Sequence, residues 1–458
     1  MIRIRNGFAV KQDNQLEEVT IYIEEGKIKF IFPYNHSGFE VEKEINASGN
    51  VVMPGFIDPH VHFDDPGFTE REDFETGTRS AAAGGITTII DMPCTSIPPV
   101  INGKNFDNKL DIVSRKAYVD FAFWGGITPS QIESLEYKKA LKDLSDKGVV
   151  GIKFYTISGM ELYPRMPVEF MDKAFRELKE LNLVCGVHAE DYNLVDYYSR
   201  YLQSIGRNDP ASWSEGRVYE AEPVAIWTVV GITKKVGNKL HVVHLSSEEG
   251  LKIIKMAKAQ NVDVTTETCP HFLLFTSENY ENIGAILKTS PPVRKEEDRK
   301  ALWEGIKDRT IDFVASDHAA AKYPEEKNKN NFWENYAGIP GTQLMAPIMF
   351  SFGYNSSKID LLRIKEIMSE NTARRYGLYP RKGTIQIGSD ADFTFIDLYE
   401  KWIVDPARLE SKGKYSPIAG YELTGKIKKT MVRGEVVFDD SLGVLNKKGY
   451  GRFVKSCF

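Results

Sequence analysis

The chain has 458 residues and a mass of 51.8 kDa, with 42% apolar residues, 27% charged residues and a formal net charge of −5. That is room for one large catalytic domain plus a smaller one, and the mild acidity excludes the basic footprint of a nucleic-acid binder. The first residues are too charged for a signal peptide and no run is long and apolar enough to span a bilayer. Four cysteines, Cys94, Cys185, Cys269 and Cys457, form neither a CxxC pair nor a dense disulfide pattern. A soluble cytoplasmic protein with reduced thiols, and no membrane or nucleic-acid partner, is the expectation.

Residues 1–50 alternate in polarity and turn often. Met1–Val10, Val19–Tyr22, Lys27–Phe32 and Val41–Asn46 read as short antiparallel strands, with a turn at Glu24–Lys27. This is too little material for a core of its own. Residues 383–400 and 425–440 read as strands again, around the turns Gly388–Asp390 and Arg433–Glu435. The termini are therefore expected to meet in one small β domain, residues 1–50 plus 383–458, with residues 51–382 inserted between them. Lys426–Lys429 is read as a solvated strand edge and not as a polyanion site.

The inserted segment alternates apolar runs with amphipathic stretches. Runs lie near 51–58, 86–91, 120–125, 149–154, 183–188, 239–244, 262–267 and 311–316, and stretches such as Pro167–Leu181 and Glu248–Gln260 separate them. Ser247 ahead of Glu248 and Glu249 reads as a helix start. Eight strand–helix alternations predict a closed (β/α)₈ TIM barrel, an α/β fold, carrying the small β-sandwich domain built from both termini. Gly84 and Gly85 precede a strand instead of following one. They are therefore no dinucleotide fingerprint and are expected to end the preceding helix. Residues 319–342, with Trp333, Tyr336, Gly338 and Gly341, read as an irregular loop bordering a substrate.

In a barrel, the carboxyl ends of the strands converge on one mouth. His60 and His62 sit one residue apart at the end of the first run, so a strand points both the same way. Lys153 ends the fourth run, His188 the fifth, His244 the sixth and Asp317, beside His318, the eighth. Imidazole and carboxylate ligands suit a pair of divalent ions, Zn²⁺ or its neighbours. Lysine is the odd member, because an ammonium is no ligand. Reaction of its amine with CO₂ would give an anionic carbamate able to bridge two metals; a lysine paired with a carboxylate is the plainer alternative. Two close ions would share and acidify a hydroxide, with Asp317 passing a proton to a departing nitrogen. Nucleophilic catalysis by Ser or Cys lacks support: no G-x-S-x-G elbow follows a strand. Cys269 is placed outside the reacting shell, and His241 is read as structural.

These segments resemble the cyclic amidohydrolases of the amidohydrolase superfamily, the group of allantoinases, hydantoinases (dihydropyrimidinases) and dihydroorotases. The resemblance rests on PGFIDPHVHF at 54–63, GIKF at 151–154, VHAED at 187–191, HVVHLSS at 241–247, TTETCPHFL at 265–273, KTSPPVR at 288–294 and ASDHA at 315–319, in that order. It implies a binuclear centre, usually zinc, with His60, His62 and Asp317 on one ion, His188 and His244 on the other, and carboxylated Lys153 as the bridge. It also implies hydrolytic ring opening of a small cyclic ureide or imide, by an enzyme assembled as a homodimer or homotetramer.

Allantoinase-like stretches are the most numerous: 64–78, 285–294, 336–343 and 414–439. Asp64 stands where dihydroorotases carry an arginine for the substrate carboxylate, which speaks against that reaction. Hydantoinases carry a tyrosine five residues after the lysine, and here that offset falls on Ser158. Tyr155, two residues after Lys153, is expected to reach the site only if the loop is remodelled. Allantoin is thus the leading substrate, with hydantoins and dihydropyrimidines next and dihydroorotate behind. The ring is expected to meet backbone groups at Ser290, Gly338 and Ile339. Asp64, Glu70 and Ser158 are further candidate contacts. A ligand-poor scaffold is the reading from another class, and the six retained positions argue against it.

Overall fold

The computed structural model describes residues 1–458. Eight parallel strands close into a ring: β1 (Phe56–His62), β2 (Ile86–Asp91), β3 (Asp120–Phe123, continued by Gly125–Gly126), β4 (Gly151–Tyr155), β5 (Val184–His188), β6 (Lys239–Val242), β7 (Val264–Thr268) and β8 (Phe313–Val314, continued by His318–Ala319). Each pairs with the next, and His318–Ala319 returns to Val61–His62 to close the barrel. β1 to β5 are buried along their whole length, as strands walled by helices on the outside and side chains on the inside must be.

The helices between the strands start and stop on local signals. Asp73 caps Phe74–Ala83 by accepting from Thr76 N, and Ser247 caps Glu248–Ala259 by accepting from Gly250 N. Gly84 ends the first of these helices, as expected. A Cβ there would lie 2.7 Å from Thr342 O, and Gly85 follows at φ +84°. No helix is long and apolar enough to cross a membrane. The four cysteines are free thiols.

The terminal segments form one hydrogen-bonded sheet of nine strands. Ile2–Val10, Leu16–Glu24, Lys27–Phe32 and Lys43–Asn46 come from the N-terminus; Phe393–Ile403, Glu422–Val432, Glu435–Asp439 and Gly443–Val444 come from the C-terminus. The ninth strand, Val51–Pro54, joins the two halves by pairing antiparallel with Phe393–Ile396. Ile4, Ile21, Ile23 and Val52 share a core with Phe393, Phe395 and Met431.

The apolar run at 51–58 therefore serves two sheets, and only its second half begins the barrel. Hydrophobicity alone does not mark the handover at Gly55. Lys426–Lys429 is also not at an edge: Glu422–Val432 is an interior strand, and its lysines are paired with Glu400, Asp439 and Asp440.

Candidate metal centre

Strand ends deliver the expected side chains. His60 and His62 close β1, Lys153 lies two residues before the end of β4, and His188 closes β5. His244 lies just past β6, and Asp317 sits in the interruption of β8, nearer the mouth than a continuous strand at 311–316 would have put it. His244 and Asp317 both adopt left-handed backbone, φ +38° and +49°. Such a conformation costs about 1–3 kcal/mol at a non-glycine residue and accumulates where a side chain must be aimed.

The groups converge. His60 Nε2 and His62 Nε2 lie 3.1 and 3.4 Å from the same Asp317 Oδ1, and the ligand atoms of these three residues are all within 4.8 Å of one another. The ring of His244 is 5.4 Å from that of His60 and 4.5 Å from that of His188, centroid to centroid. Lys153 Nζ is buried in this neighbourhood without a hydrogen-bond partner. Burial pushes its pKa down to about 8. Burial would raise the Asp317 carboxyl, but the imidazoles of His60, His62 and His244 outweigh it and hold that carboxyl well below the ordinary range.

A second ring of residues fixes the imidazoles. Glu267 Oε1 lies 2.6 Å from His60 Nδ1, which turns Nε2 inward. Glu190 Oε2 lies 2.9 Å from His188 Nε2, leaving Nδ1 for the centre. Burial would raise Glu190, but the Arg217 guanidinium paired with it brings it down to about 2. Asp58 accepts from Ser316 N at 3.1 Å and from Thr342 Oγ1 at 2.7 Å, so β1 holds the turn that presents Asp317. His241 lies against Glu267 and Thr265 and is a support, not a ligand. Cys269 is buried, and burial pushes its thiol well up, against a nucleophilic thiolate.

The donor set fits a metal pair: two imidazoles with a carboxylate, two further imidazoles, and near them an amine that no protein group satisfies. An unpaired ammonium buried beside four imidazoles would cost several kcal/mol.

A cavity of about 160 Å³ opens over these residues, walled by Cys94, Thr95, Tyr155, Met160, Thr289, Ser290, Tyr336, Ala337 and Gly338. The 319–342 loop thus contributes one side of it. Ser290 and Gly338 face the cavity. The Gly338 N–H is already donated to Lys288 O at 2.9 Å. Ile339 turns its side chain toward Pro270 and Leu344, while its carbonyl accepts from Ala319 N. Ser158 is turned away: its hydroxyl donates to Tyr163 O at 2.7 Å and accepts from Met160 N at 3.1 Å. Glu70 is exposed beside Lys322. Asp64 lies behind the wall, next to Thr95 and Tyr336, with backbone φ +49° and neither carboxyl oxygen hydrogen-bonded. Burial raises it to about 7 against the pull of His62, Thr95 and Arg71.

Tyr155 corrects the sequence reading: it reaches the cavity with no remodelling. Its ring stacks on His188 at 5.4 Å and its hydroxyl is 3.1 Å from Cys94 Sγ. The signal was available, since residues two apart on β4 share a face and Lys153 points inward. Cys94, Glu267, Glu190 and Asp58 were missed as parts of the site; only tertiary contact gives them a role.

In a closed parallel barrel the C-terminal face is where enzymes of this fold place their active sites, and the polar, metal-type rim lies there. The Amidohydrolase family model matches residues 51–437, and the chain belongs to that family. It is 34% identical to the allantoinase of Rubrobacter xylanophilus over 99% of this chain and 97% of that one. It is 33% identical to the L-hydantoinase of Paenarthrobacter aurescens over 98% and 97%. Among solved structures, the L-hydantoinase (dihydropyrimidinase) from Arthrobacter aurescens superposes with a TM-score of 0.93 at 33% identity over 99% of both chains. The dihydropyrimidinase from Brevibacillus agri gives 0.90 at 28% identity over 100% and 99%. The protein is a cyclic amidohydrolase enzyme.

Proposed function

We propose that this enzyme hydrolyses the cyclic amide of a hydantoin-type ring, with allantoin, giving allantoate, as the leading substrate. The observation that carries the reading is Lys153: a buried, unpartnered amine beside the His60–His62–Asp317 group and near His188 and His244. Burial lowers its pKa to about 8, which enlarges the share of neutral amine, the form that adds to CO₂; the N–C bond forms, a proton leaves, and a carbamate remains. His60, His62 and Asp317 would then hold one divalent ion, with Zn²⁺ suited to such donors, and His188 and His244 the second.

Ions bound there would acidify a water and polarise the acyl oxygen of the ring. The chain's own residues do the rest. Glu267 and Glu190 hold the imidazoles in place. Asp317 takes a proton from the attacking water and returns it to the ring nitrogen as the C–N bond breaks, so that water is added across that bond. Tyr155 offers its hydroxyl to the oxygen on which charge develops. The walls at Ser290 and Gly338 enclose a small polar ring.

The 34% identity to an allantoinase over 99% of this chain supports allantoin over plain hydantoin. The Tyr155 hydroxyl favours the second reading, a hydantoinase or dihydropyrimidinase. The test is direct: metal-loaded protein with bicarbonate is assayed on allantoin, hydantoin, dihydrouracil and dihydroorotate. The highest kcat/KM is expected on allantoin; a higher value on hydantoin or dihydrouracil makes the second reading the correct one, and no ring opening at all removes both. Asp64 is buried behind Thr95 and Tyr336, so Asp64→Asn should change kcat/KM for allantoin and for hydantoin by the same factor. A loss confined to allantoin would place Asp64 in ureido recognition.

A further inference from the structure

The Lys288 side chain is buried yet makes no ion pair. Its three N–H donors go to three main-chain carbonyls, Phe332 at 2.8 Å, Trp333 at 3.0 Å and Asn335 at 2.6 Å. It also rests over the Trp213 ring, 3.9 Å from the centroid. Every donor of the ammonium is used and an aromatic face covers the charge. Burial pushes its pKa down to about 7, with the Arg217 charge adding to the push. A cation is thus a costly way to join segments that an apolar side chain could cover.

What is joined gives the reason. The Lys288 carbonyl accepts from Gly338 N at 2.9 Å and from Lys327 Nζ at 3.2 Å, and Lys327 Nζ also donates to Tyr336 O at 3.1 Å. Trp213 Nε1 donates to Thr289 O at 2.8 Å. One wall of the cavity, Thr289–Ser290, follows Lys288 directly along the chain. The facing wall, Tyr336–Gly338, follows the three carbonyls that Lys288 gathers.

We propose that Lys288 is a positioning residue: a tethered monovalent cation that organises the carbonyls of residues 332–335 and so sets the Tyr336–Gly338 wall against Ser290. It rests on the ring-opening reading above for what binds between those walls, not for the existence of the tether. Three carbonyls placed to accept the N–H donors of the lysine head can accept those of a small free alkylammonium ion in the same way. An enzyme lacking the lysine should therefore take one in its place.

Lys288→Met keeps most of the stem volume and deletes the charge. In the holoenzyme it should lower kcat/KM on the best ring substrate by about tenfold or more, mainly through KM, with metal content unchanged. Amide hydrogen exchange over residues 327–338 should quicken while the barrel strands stay protected. In Lys288→Ala, methylammonium should restore activity several-fold, sodium should not, and the wild type should respond to neither. Wild-type kinetics together with wild-type exchange in Lys288→Met would overturn the proposal. So would a folded Lys288→Ala enzyme impaired equally with and without methylammonium. If Lys288→Ala does not fold, Lys288→Met decides. If the wild type opens no ring, the functional reading falls, and the exchange comparison still decides the role of Lys288.

Discussion

Two clusters of buried charge lie at opposite ends of the barrel, and they differ in one respect. At the end where β3 begins, Asp120, Asp390 and Asp392 bring their carboxylates within 4.8 Å of one another, as close as the His60–His62–Asp317 group at the mouth. There the chain supplies its own cation. Lys382 Nζ lies 2.5 Å from Asp120, 2.7 Å from Asp392 and 3.1 Å from Asp390, and Arg433 pairs with Asp120 from the terminal sheet. At the mouth the lysine is also buried, but nothing in the chain answers it. A cluster whose charges are complete ties the sheet to the barrel; a cluster left incomplete is built to be finished by something else.

The sharpest way to break this contrast is to alter the incomplete cluster. Asp317→Asn keeps the shape and removes the carboxylate proposed to carry the proton, and kcat should fall by about 10²–10⁴-fold with the fold intact. Lys153→Met should lose turnover and bound metal together, as measured by metal analysis of the purified variant. Chelation of the wild type should abolish activity, and Zn²⁺ with bicarbonate should restore it. An intact mass of the native protein should show one added CO₂. An Asp317→Asn enzyme of wild-type kcat would remove the assignment of Asp317.

Much of this was legible in the sequence, for a physical reason. Apolar runs at the spacing of strands and helices predict a barrel, and polar residues that end such runs can only meet at its mouth, so the place of these six residues in the fold could be expected without coordinates. What was not legible depends on contacts that periodicity does not encode. The run at 51–58 is apolar throughout, so nothing in it marks the change of sheet at Gly55. Strands β3 and β8 are interrupted, and the interruption in β8 carries Asp317. Glu267 and Glu190 read as ordinary strand-end acids until His60 and His188 are placed beside them. Ser158 was singled out by an offset carried over from relatives, whereas the period of β4 itself points to Tyr155.

The complete cluster gives the converse expectation. Lys382→Met leaves three buried carboxylates around an uncharged side chain. Removing one partner of a buried ion pair costs about 3–5 kcal/mol, which would appear as a lower denaturation midpoint. The mouth lies at the far ends of the strands, so kcat of the folded variant should be that of the wild type. A loss of turnover without a loss of stability would mean that the two clusters are coupled, and the contrast between them would fail.

The smallest expected effect lies in the acid limb of stability. Burial would raise the Asp390 carboxyl, but Lys382, Lys27 and Arg381 together lower it from 3.8 to about 2. A carboxyl whose folded pKa is depressed binds its proton more readily in the unfolded chain. Its contribution is therefore present in full above the unfolded value, near 4, and is lost as pH falls toward 2. Because two of its partners, Lys27 and Arg381, are about half exposed and solvent screens their pull, that contribution is on the order of 1 kcal/mol. In Asp390→Asn the stability difference from wild type should shrink by about that amount between pH 5 and pH 2. A difference that stays constant across the window would mean that Asp390 serves the junction through its hydrogen bonds and not through its charge.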